Sequence, residues 1–239
     1  MTGLADARVV IIGGTSGIGL ATARAAVDAG ARVVVGGRDP DRLEKAIREL
    51  GPAAEGHRVD AASEVEIEAF LRRLGTLDHL LVTPSRLVPA PVVDASTDQV
   101  RPALDLRFWA AFHASRYAAP RMSATGSITL LSGIAATRPI PEEAVAGASC
   151  AAVEALMRSL VTELAPIRCN VLSPGYVDTP LLDDFFGPAR DSRVAAISAA
   201  LPGRRIGTPA EIADAALFLM RNGYMNGHVL TIDGAHTLV

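Results

Sequence analysis

The loop Gly13-Gly14-Thr15-Ser16-Gly17-Ile18-Gly19 is the feature that most restricts how this chain can fold. It directly follows an apolar segment, 8–12, that is typical of a buried strand, and it leads into an alanine-rich segment, 17–29, that is typical of a helix. Glycines let the backbone turn tightly and let its N–H groups approach a pyrophosphate at the positive end of the helix. In this setting the loop predicts a binding site for a dinucleotide.

Strand-like and helix-like segments alternate along all 239 residues. The predicted strands are short, and they cover 8–12, 31–36, 57–60, 79–83, 127–131, 167–172 and 229–232. Two of the predicted helices begin at Asp39-Pro40 and at the capping box Ser63-x-x-Glu66, and the longest cover about 99–119 and 144–164. This alternation predicts one doubly wound (Rossmann) α/β domain, 1–239, with a mostly parallel seven-stranded sheet and helices on both faces.

Residues 180–203 interrupt the alternation of strands and helices. They contain prolines, acidic residues and the adjacent Phe185 and Phe186. We predict that this segment is a mobile lid or substrate loop. The capping box Thr208-Pro209-Ala210-Glu211 marks the start of the next helix.

Composition argues against several classes of function. The chain is 49% hydrophobic, carries a formal net charge of −3 and has no basic stripe, so nucleic acid is not an expected partner. We find no signal peptide and no apolar run long enough to span a bilayer, so we expect a cytoplasmic protein that does not enter membranes. Cys150 and Cys169 suit a reducing compartment, and no cysteine or histidine spacing indicates a metal site.

The residues that end the second predicted strand indicate which dinucleotide binds. Rossmann domains that bind NAD(H) carry an acidic residue there, which holds the ribose 2′-hydroxyl. This chain has Gly36-Gly37-Arg38 instead, and a guanidinium suits a 2′-phosphate. We therefore predict NADP(H) rather than NAD(H), with an ion pair from Arg38 to Asp39 or Asp41 as the structural alternative.

With these residues in place, the chain resembles the short-chain dehydrogenase/reductase family over nearly its whole length. The glycine loop, Val59-Asp60-Ala61 and the segment 170–180 match the family's cofactor-binding motifs. The resemblance implies that Asp60 bonds the adenine amino group, that the Val177 backbone holds the nicotinamide carboxamide and that the Thr179 hydroxyl contacts the cofactor. The predicted cofactor-binding residues are Gly13, Thr15, Ser16, Gly17, Ile18, Gly19, Arg38, Asp60, Ala61, Thr83, Pro174, Gly175, Val177 and Thr179.

The resemblance fails at the positions that perform the family's chemistry. The family's active-site asparagine aligns with Asp105, its serine with Gly133, and its tyrosine and lysine with Ala146 and Cys150. Shifting the alignment does not restore the tyrosine–lysine pair, because Lys45 is the only lysine in the chain and no tyrosine precedes it at the required spacing.

Two polar residues are candidate replacements for the lost catalytic groups. The family's tyrosine donates a proton and its lysine lowers the pKa of that tyrosine, so reduction of ordinary ketones should be slow here. Ser132 ends a strand at the ligand-binding edge of the sheet, and a buried Asp105 would have a raised pKa. The structural alternatives are a turn for Ser132 and a salt bridge from Asp105 to Arg101 or Arg107. Three loop residues before the last long helix could reach the substrate, with a solvated loop as the structural alternative that we favour: Arg138, Glu142 and Glu143.

Three classes of function follow. The first is an NADP(H)-dependent oxidoreductase that acts on an unknown small carbonyl or alcohol substrate by a non-standard mechanism. The second is a catalytically silent NADP(H)-binding protein, such as a redox sensor or a partner subunit, and the third is a non-redox enzyme that reuses the pocket. We place the oxidoreductase first because of the resemblance. If the site is otherwise intact, Ala146→Tyr combined with Cys150→Lys should increase activity.

An apolar and aromatic face on the predicted helix 99–119 indicates self-association. Members of the family pair this helix and the next one across a two-fold axis, so the resemblance implies a homodimer or homotetramer. His113 lies on the same helix and is expected at that interface. The residues of the face are Leu106, Phe108, Trp109 and Phe112.

Overall fold

Seven strands form one parallel sheet in the computed structural model, which describes residues 3–239. The strands are β1 (Arg8–Ile12), β2 (Arg32–Gly37), β3 (Ala54–Arg58), β4 (Leu77–Val82), β5 (Met122–Leu131), β6 (Arg168–Pro174) and β7 (Val229–Ile232). Their order across the sheet is β3-β2-β1-β4-β5-β6-β7. Strands β2 and β3 are added on one side of β1, and β4 to β7 are added on the other. The change of side falls between β1 and β4, which is where a doubly wound sheet opens a crevice for a ligand. The predicted fold class is confirmed.

Helices cover both faces of the sheet because the strand residues alternate between two apolar cores. Val10 and Ile12 face one core, whereas Val9 and Ile11 face the other. The helices are α1 (Gly17–Asp28), α2 (Pro40–Leu50), α3 (Glu64–Arg73), α4 (Thr97–Leu104), α5 (Ala110–Ala118), α6 (Ala144–Glu163), α7 (Pro180–Phe186), α8 (Arg190–Ala200) and α9 (Pro209–Arg221). The larger core includes α3, α5 and α6, and the smaller one includes α1 and α9.

The predicted helix 99–119 is interrupted by one wide turn. A π-helical turn, Asp105–Trp109, lies between α4 and α5, and Pro102 lies inside α4 just before it. A proline lacks an N–H group and disturbs the hydrogen bonding of the turn that precedes it. Wide turns of this kind often occur at functional sites because they change the direction in which side chains project.

Residues 180–203 are mostly helical and not an open loop, and their role as a mobile lid or substrate loop stays a prediction. Pro180 begins α7 at a first-turn position that tolerates proline, and Gly187, with a φ of 51°, ends it. Arg190 at the start of α8 pairs with three carboxylates, those of Asp178, Asp183 and Asp191. These ion pairs tie the two short helices to the segment that follows β6.

The third strand begins three residues earlier than predicted and ends at Arg58, so Asp60 lies beyond the strand. The sequence of β3, Ala54-Glu55-Gly56-His57-Arg58, has no apolar run, because the strand lies at the edge of the sheet and is largely exposed. An edge strand of this kind carries little hydrophobic signal, since burial rather than β-structure produces that signal.

Helix α6 is long and apolar enough, by length and composition, to cross a membrane, and it is the one such helix among residues 3–239. It packs against the sheet instead. Val153, Met157 and Leu160 are buried in the larger core, and Ala146 and Cys150 are buried near the start of the helix. Its apolar character is therefore explained by its position in the core.

A buried histidine links the two central strands β4 and β5. His79 is 7% exposed, and its Nδ1 lies 2.8 Å from the Ser127 hydroxyl oxygen. Burial, together with the positive charge of Arg168, lowers the pKa of His79 from 6.5 to about 4, although Asp78 opposes the shift. His79 is thus neutral in the folded protein at pH 7 and gains a proton more easily in the unfolded chain.

We expect stability to fall as pH decreases from about 6.5 to about 4. The unfolded state binds the proton first in this range, so the stabilisation is complete above the unfolded pKa and is lost as pH falls towards the folded pKa. The full loss attributable to His79 is roughly 3 kcal/mol, at about 1.4 kcal/mol per pKa unit. Denaturant titrations at several pH values should show a flatter profile for His79→Gln. The exposed His228→Gln serves as control and should keep the parent slope.

Candidate cofactor cleft and active site

Three adjoining cavities form a cleft across the carboxyl ends of the central strands. The first lies beside β2 and the residues after β3, the second lies over the glycine loop, and the third lies between α6 and the segment after β6. Thr15, Arg42 and Asp184 line both the first and the second, and Ile18, Leu131 and Thr179 are among those that line both the second and the third. All fourteen residues predicted to bind the cofactor line this cleft.

The glycine loop is shaped so that only glycine fits at its closest approaches. Gly13 has a φ of 87°, and a Cβ there would lie 2.4 Å from the Thr83 hydroxyl oxygen. A Cβ on Gly19 would lie 2.2 Å from the Gly13 carbonyl oxygen. Ser16 precedes α1 and makes no side-chain capping bond, so it supplies no acceptor to the first-turn N–H groups. These groups at the positive end of a helix suit an anion, and the loop fits a pyrophosphate.

The end of the cleft beside β2 carries two arginines. Arg38 follows β2, and Arg42 lies in the first turn of α2. The Asp39 carboxylate caps α2 by accepting from the backbone N–H groups of Asp41 and Arg42 at 3.0 Å. That acid is therefore used to start the helix. Arg42 was not among the residues predicted to bind the cofactor. In the sequence it could have been identified because it follows Arg38 by four residues, about one helical turn.

The third cavity encloses about 100 Å³ and contains the positions where the family's chemistry is expected. Gly133, Ala146 and Cys150 all line it, as does Ser132. Three of the four aligned positions therefore lie at one cavity. Ala146 is 2% exposed and presents only a methyl group, so it offers no proton donor.

Arg107 lines the cavity and Asp105 is not among its lining residues, so the catalytic role of Asp105 stays a prediction that this geometry does not favour. Two residues along a helix point to roughly opposite sides, and the π-helical turn sends Arg107 inward. Arg107 is 6% exposed, and its Nη1 donates to the Cys150 sulfur at 2.6 Å rather than to the Asp105 carboxylate. In the sequence, Arg107 could have been singled out as an arginine between apolar residues.

The Cys150 thiol gives Arg107 a neutral partner. Burial raises the pKa of Cys150, and the Arg107 charge opposes that shift without cancelling it. The thiol consequently keeps its proton at neutral pH, and the guanidinium charge is not neutralised by this contact. The cavity therefore has a fixed positive charge beside Cys150, the position that aligns with the family's lysine.

Ser132 makes hydrogen bonds to residues of α6. Its hydroxyl lies 2.9 Å from a Glu154 carboxylate oxygen and 3.2 Å from the Cys150 carbonyl oxygen. A hydroxyl has a single proton to donate, and a carboxylate is the stronger acceptor. Ser132 therefore joins the end of β5 to α6. Its catalytic role stays a prediction that these contacts do not favour.

Glu143 is a buried acid, although the sequence favoured a solvated position for it. It was expected to be solvated, but it is 4% exposed, immediately precedes α6 and lines the cavity. Its Oε1 has no hydrogen-bond partner, and burial raises the pKa of the carboxyl group, while Arg107 opposes that rise. In the sequence, its burial could have been inferred from its position about one helical turn before Ala146, which places both residues on one side of the helix start.

Tyr176 lines the cavity, and its ring makes aromatic contacts with two neighbouring side chains. Its ring centroid lies 5.4 Å from that of His236 and 5.9 Å from that of Phe186. Burial raises the pKa of Tyr176, and the charge of Glu143 adds to the rise. These ring contacts hold Tyr176 against α7 and the C-terminal segment.

The substitution Cys150→Lys should destabilise this protein, which changes the expectation for the double variant with Ala146→Tyr. A lysine there would place an ammonium group against the buried Arg107 guanidinium. An uncompensated buried charge costs on the order of 3–5 kcal/mol. We expect denaturant titration to show that loss, and to show recovery when Arg107→Asn is added. Cys150→Ser keeps an acceptor for Arg107 and should change stability much less; equal stability of Cys150→Lys and Cys150→Ser would contradict this account.

The comparisons with known proteins agree with the fold and the cleft. A family model described as enoyl-(acyl carrier protein) reductase matches residues 13–237. The short-chain dehydrogenase/reductase malC of Malbranchea aurantiaca is 30% identical over 93% of this chain and 91% of its own length. The short-chain dehydrogenase/reductase ATR9 of Stachybotrys chlorohalonatus is 32% identical over 95% of each chain.

Solved structures superpose over the whole domain. The MalC reductase/Diels-Alderase of Malbranchea aurantiaca matches with a TM-score of 0.91 at 29% identity, covering 99% of this chain and 98% of that one. A small-chain dehydrogenase solved in complex with NADPH matches with a TM-score of 0.85 at 33% identity, covering 98% and 100%. With its sheet order, its glycine loop and these matches, the chain belongs to the short-chain dehydrogenase/reductase family.

Proposed function

We propose that this chain is an NADP(H)-dependent oxidoreductase that interconverts a small carbonyl compound and its alcohol without the family's tyrosine–lysine pair. One observation carries the proposal: a continuous cleft joins two arginines, a glycine loop and a largely apolar cavity that contains one buried cation and one buried acid. A cavity of about 100 Å³ suits a small substrate.

The choice of NADP(H) is supported from two directions. Arg38 and Arg42 stand where an acid would select NAD(H), and two guanidinium groups suit a 2′-phosphate. Two similar solved structures, a small-chain dehydrogenase and BdcA, are complexes with NADPH at 33% and 28% identity. The glycine loop would hold the pyrophosphate, and Val177 and Thr179 would hold the nicotinamide end.

The chain's own residues would bind and orient the reactants and exclude water. Bound NADPH would supply the hydride. Arg107 would stabilise negative charge on the substrate oxygen, because a preorganised cation in a dry cavity acts more strongly than one in water. Leu182 and Val177, which are buried at the wall of the cavity, would keep water from it.

The names of several relatives suggest cyclic substrates. One relative is a cis-4-hydroxycyclohexanecarboxylate dehydrogenase of Sinomonas cyclohexanicum, 32% identical over 98% of this chain. Another is a 2,3-dihydro-2,3-dihydroxybenzoate dehydrogenase of Bacillus subtilis, 29% identical over 95%. On this basis, cyclohexanone and 4-oxocyclohexanecarboxylate are the first substrates to test.

A non-redox reaction is the second candidate. The MalC structure is named as both a reductase and a Diels-Alderase, and it superposes on 99% of this chain. The same cavity without a tyrosine would leave more room for such a reaction. A catalytically silent NADP(H)-binding protein is less favoured, because a buried arginine and a buried acid are both retained in the cavity.

We expect NADPH to bind more tightly than NADH, as measured by titration of nicotinamide fluorescence. Arg38→Ala and Arg42→Ala should each weaken NADPH binding by about 1–3 kcal/mol, the contribution of a hydrogen bond to a charged group, and leave NADH binding nearly unchanged. Arg48→Ala is the matched control, since Arg48 lies on the same helix and pairs with Glu44. Equal affinities for the two cofactors would reject the assignment.

We further propose that the protein forms a homodimer or homotetramer through the aromatic face of α5 and the π-helical turn. Trp109 is 46% exposed and packs edge-on against Phe108 and Phe112. The predicted face needs one change, because Leu106 packs against the larger core. His113 stacks on Trp109 and lies 3.5 Å from Glu64, so it contacts α3.

Light scattering at micromolar concentration should show a dimer or tetramer. Trp109→Arg should convert it to a monomer, because a charge cannot be buried unpaired at a two-fold interface. Tyr224→Arg is the control, since Tyr224 is 99% exposed and lies on another part of the surface. A parent protein that is monomeric would refute this assembly.

A further inference from the structure

We propose that Glu143 donates the proton to the substrate's carbonyl oxygen, and that Arg107 stabilises the charge on that oxygen during the reaction. The inference rests on the proposed function, since it assumes carbonyl reduction in this cavity. It assigns to a loop acid and to an arginine of the π-helical turn the tasks that the family gives to two residues of the helix α6.

The position of Glu143 supports this assignment. It immediately precedes α6, and both it and Ala146 line the cavity. Ala146 fills little of the space where the family places a tyrosine ring. A carboxyl group one helical turn earlier therefore has access to the same space.

The unsatisfied atoms of Glu143 and Arg107 are the second line of support. Glu143 Oε1 and Arg107 Nε are both buried, and neither has a hydrogen-bond partner. Buried polar atoms without partners are rare, and each commonly marks a place where a ligand or water binds. A carbonyl oxygen between the two groups would accept from both of them.

Burial, and not the surrounding charge, favours the protonated form of Glu143. Burial raises the pKa of the Glu143 carboxyl group, and the positive charge of Arg107 opposes that rise. Tyr176 and Cys150 also face the carboxyl group, and both have pKa values raised by burial, so neither carries charge at neutral pH. A raised pKa is what a carboxylic acid needs to act as a proton donor near neutral pH.

The proton transfer balances with the hydride transfer. As the carbonyl carbon accepts a hydride, the π electrons of its C–O bond move to the oxygen. That oxygen takes the Glu143 proton, and the products are the alcohol and a Glu143 carboxylate. The carboxylate is stabilised by Arg107 and regains a proton from solvent. In the oxidation direction, the Glu143 carboxylate accepts the proton of the alcohol as the hydride leaves the carbon.

The test compares Glu143→Gln with Glu142→Gln. Glutamine keeps the size of the side chain but has no acidic proton, and Glu142 is an exposed neighbour outside the cavity. Infrared spectroscopy of the protein without cofactor should show a protonated carboxyl band at neutral pH that Glu143→Gln lacks and Glu142→Gln retains. Both variants should bind NADPH within twofold of the parent.

Reduction of cyclohexanone and 4-oxocyclohexanecarboxylate with NADPH supplies the second readout. Glu143→Gln should lower kcat by about 10²–10⁴-fold, the contribution of a positioned general acid, with little change in KM. The parent kcat should fall as pH rises and Glu143 loses its proton, whereas the residual rate of Glu143→Gln should lack that step. Arg107→Lys should retain more activity than Arg107→Met, because it keeps the charge.

Two kinds of failure are distinguishable. Absence of the infrared band, or parent-like kcat in Glu143→Gln, would overturn the role of Glu143 and leave the proposed function standing. If the parent fails to bind NADPH or to reduce either ketone, the proposed function is overturned, and this inference with it. A drop in kcat without loss of the band would also overturn the assignment, because the observed acid would then be another residue.

Discussion

The hydrogen bond from Arg107 to the Cys150 thiol is the contact on which the arrangement of the reaction cavity depends. It joins the π-helical turn to α6 across the cavity and holds a buried guanidinium in a fixed direction. A thiol is a weak acceptor that carries no charge in its protonated form, so the contact positions the cation without neutralising it. The cavity is consequently lined by a buried guanidinium and by the buried Glu143 carboxyl group, whose pKa is raised by burial.

The same contact explains why the cysteine and the arginine belong together. A lysine on α6 and an arginine on the π-helical turn would place two like charges within one buried site, and the cost of that arrangement is several kcal/mol. A buried positive charge can therefore lie on the π-helical turn or on α6, but not on both. In this chain Arg107 carries it on the π-helical turn, and Cys150 on α6 is small and neutral.

Most of the cofactor cleft followed from local sequence patterns. Glycines at 13, 17 and 19 are required by a turn and by close backbone approaches, and such requirements leave a clear trace in sequence. The carboxyl ends of parallel strands meet at one edge of a sheet, so motifs that follow β1, β2, β3 and β6 are brought together by topology alone. The two misjudged segments, β3 and 180–203, are exposed elements whose apolar signal is weak.

The sequence by itself determined the fold, the line of the cleft and the loss of the tyrosine–lysine pair, because those depend on periodicity, glycine positions and residue identity. Only the tertiary structure decided which polar residues line the cavity where that pair is expected. Asp105 and Arg107 are two positions apart, and the direction of each depends on a helical turn whose width no local pattern reveals. Glu143 resembles a solvated loop acid until α6, the π-helical turn and the segment after β6 enclose it, and burial, which governs its proton, is a property of the whole fold.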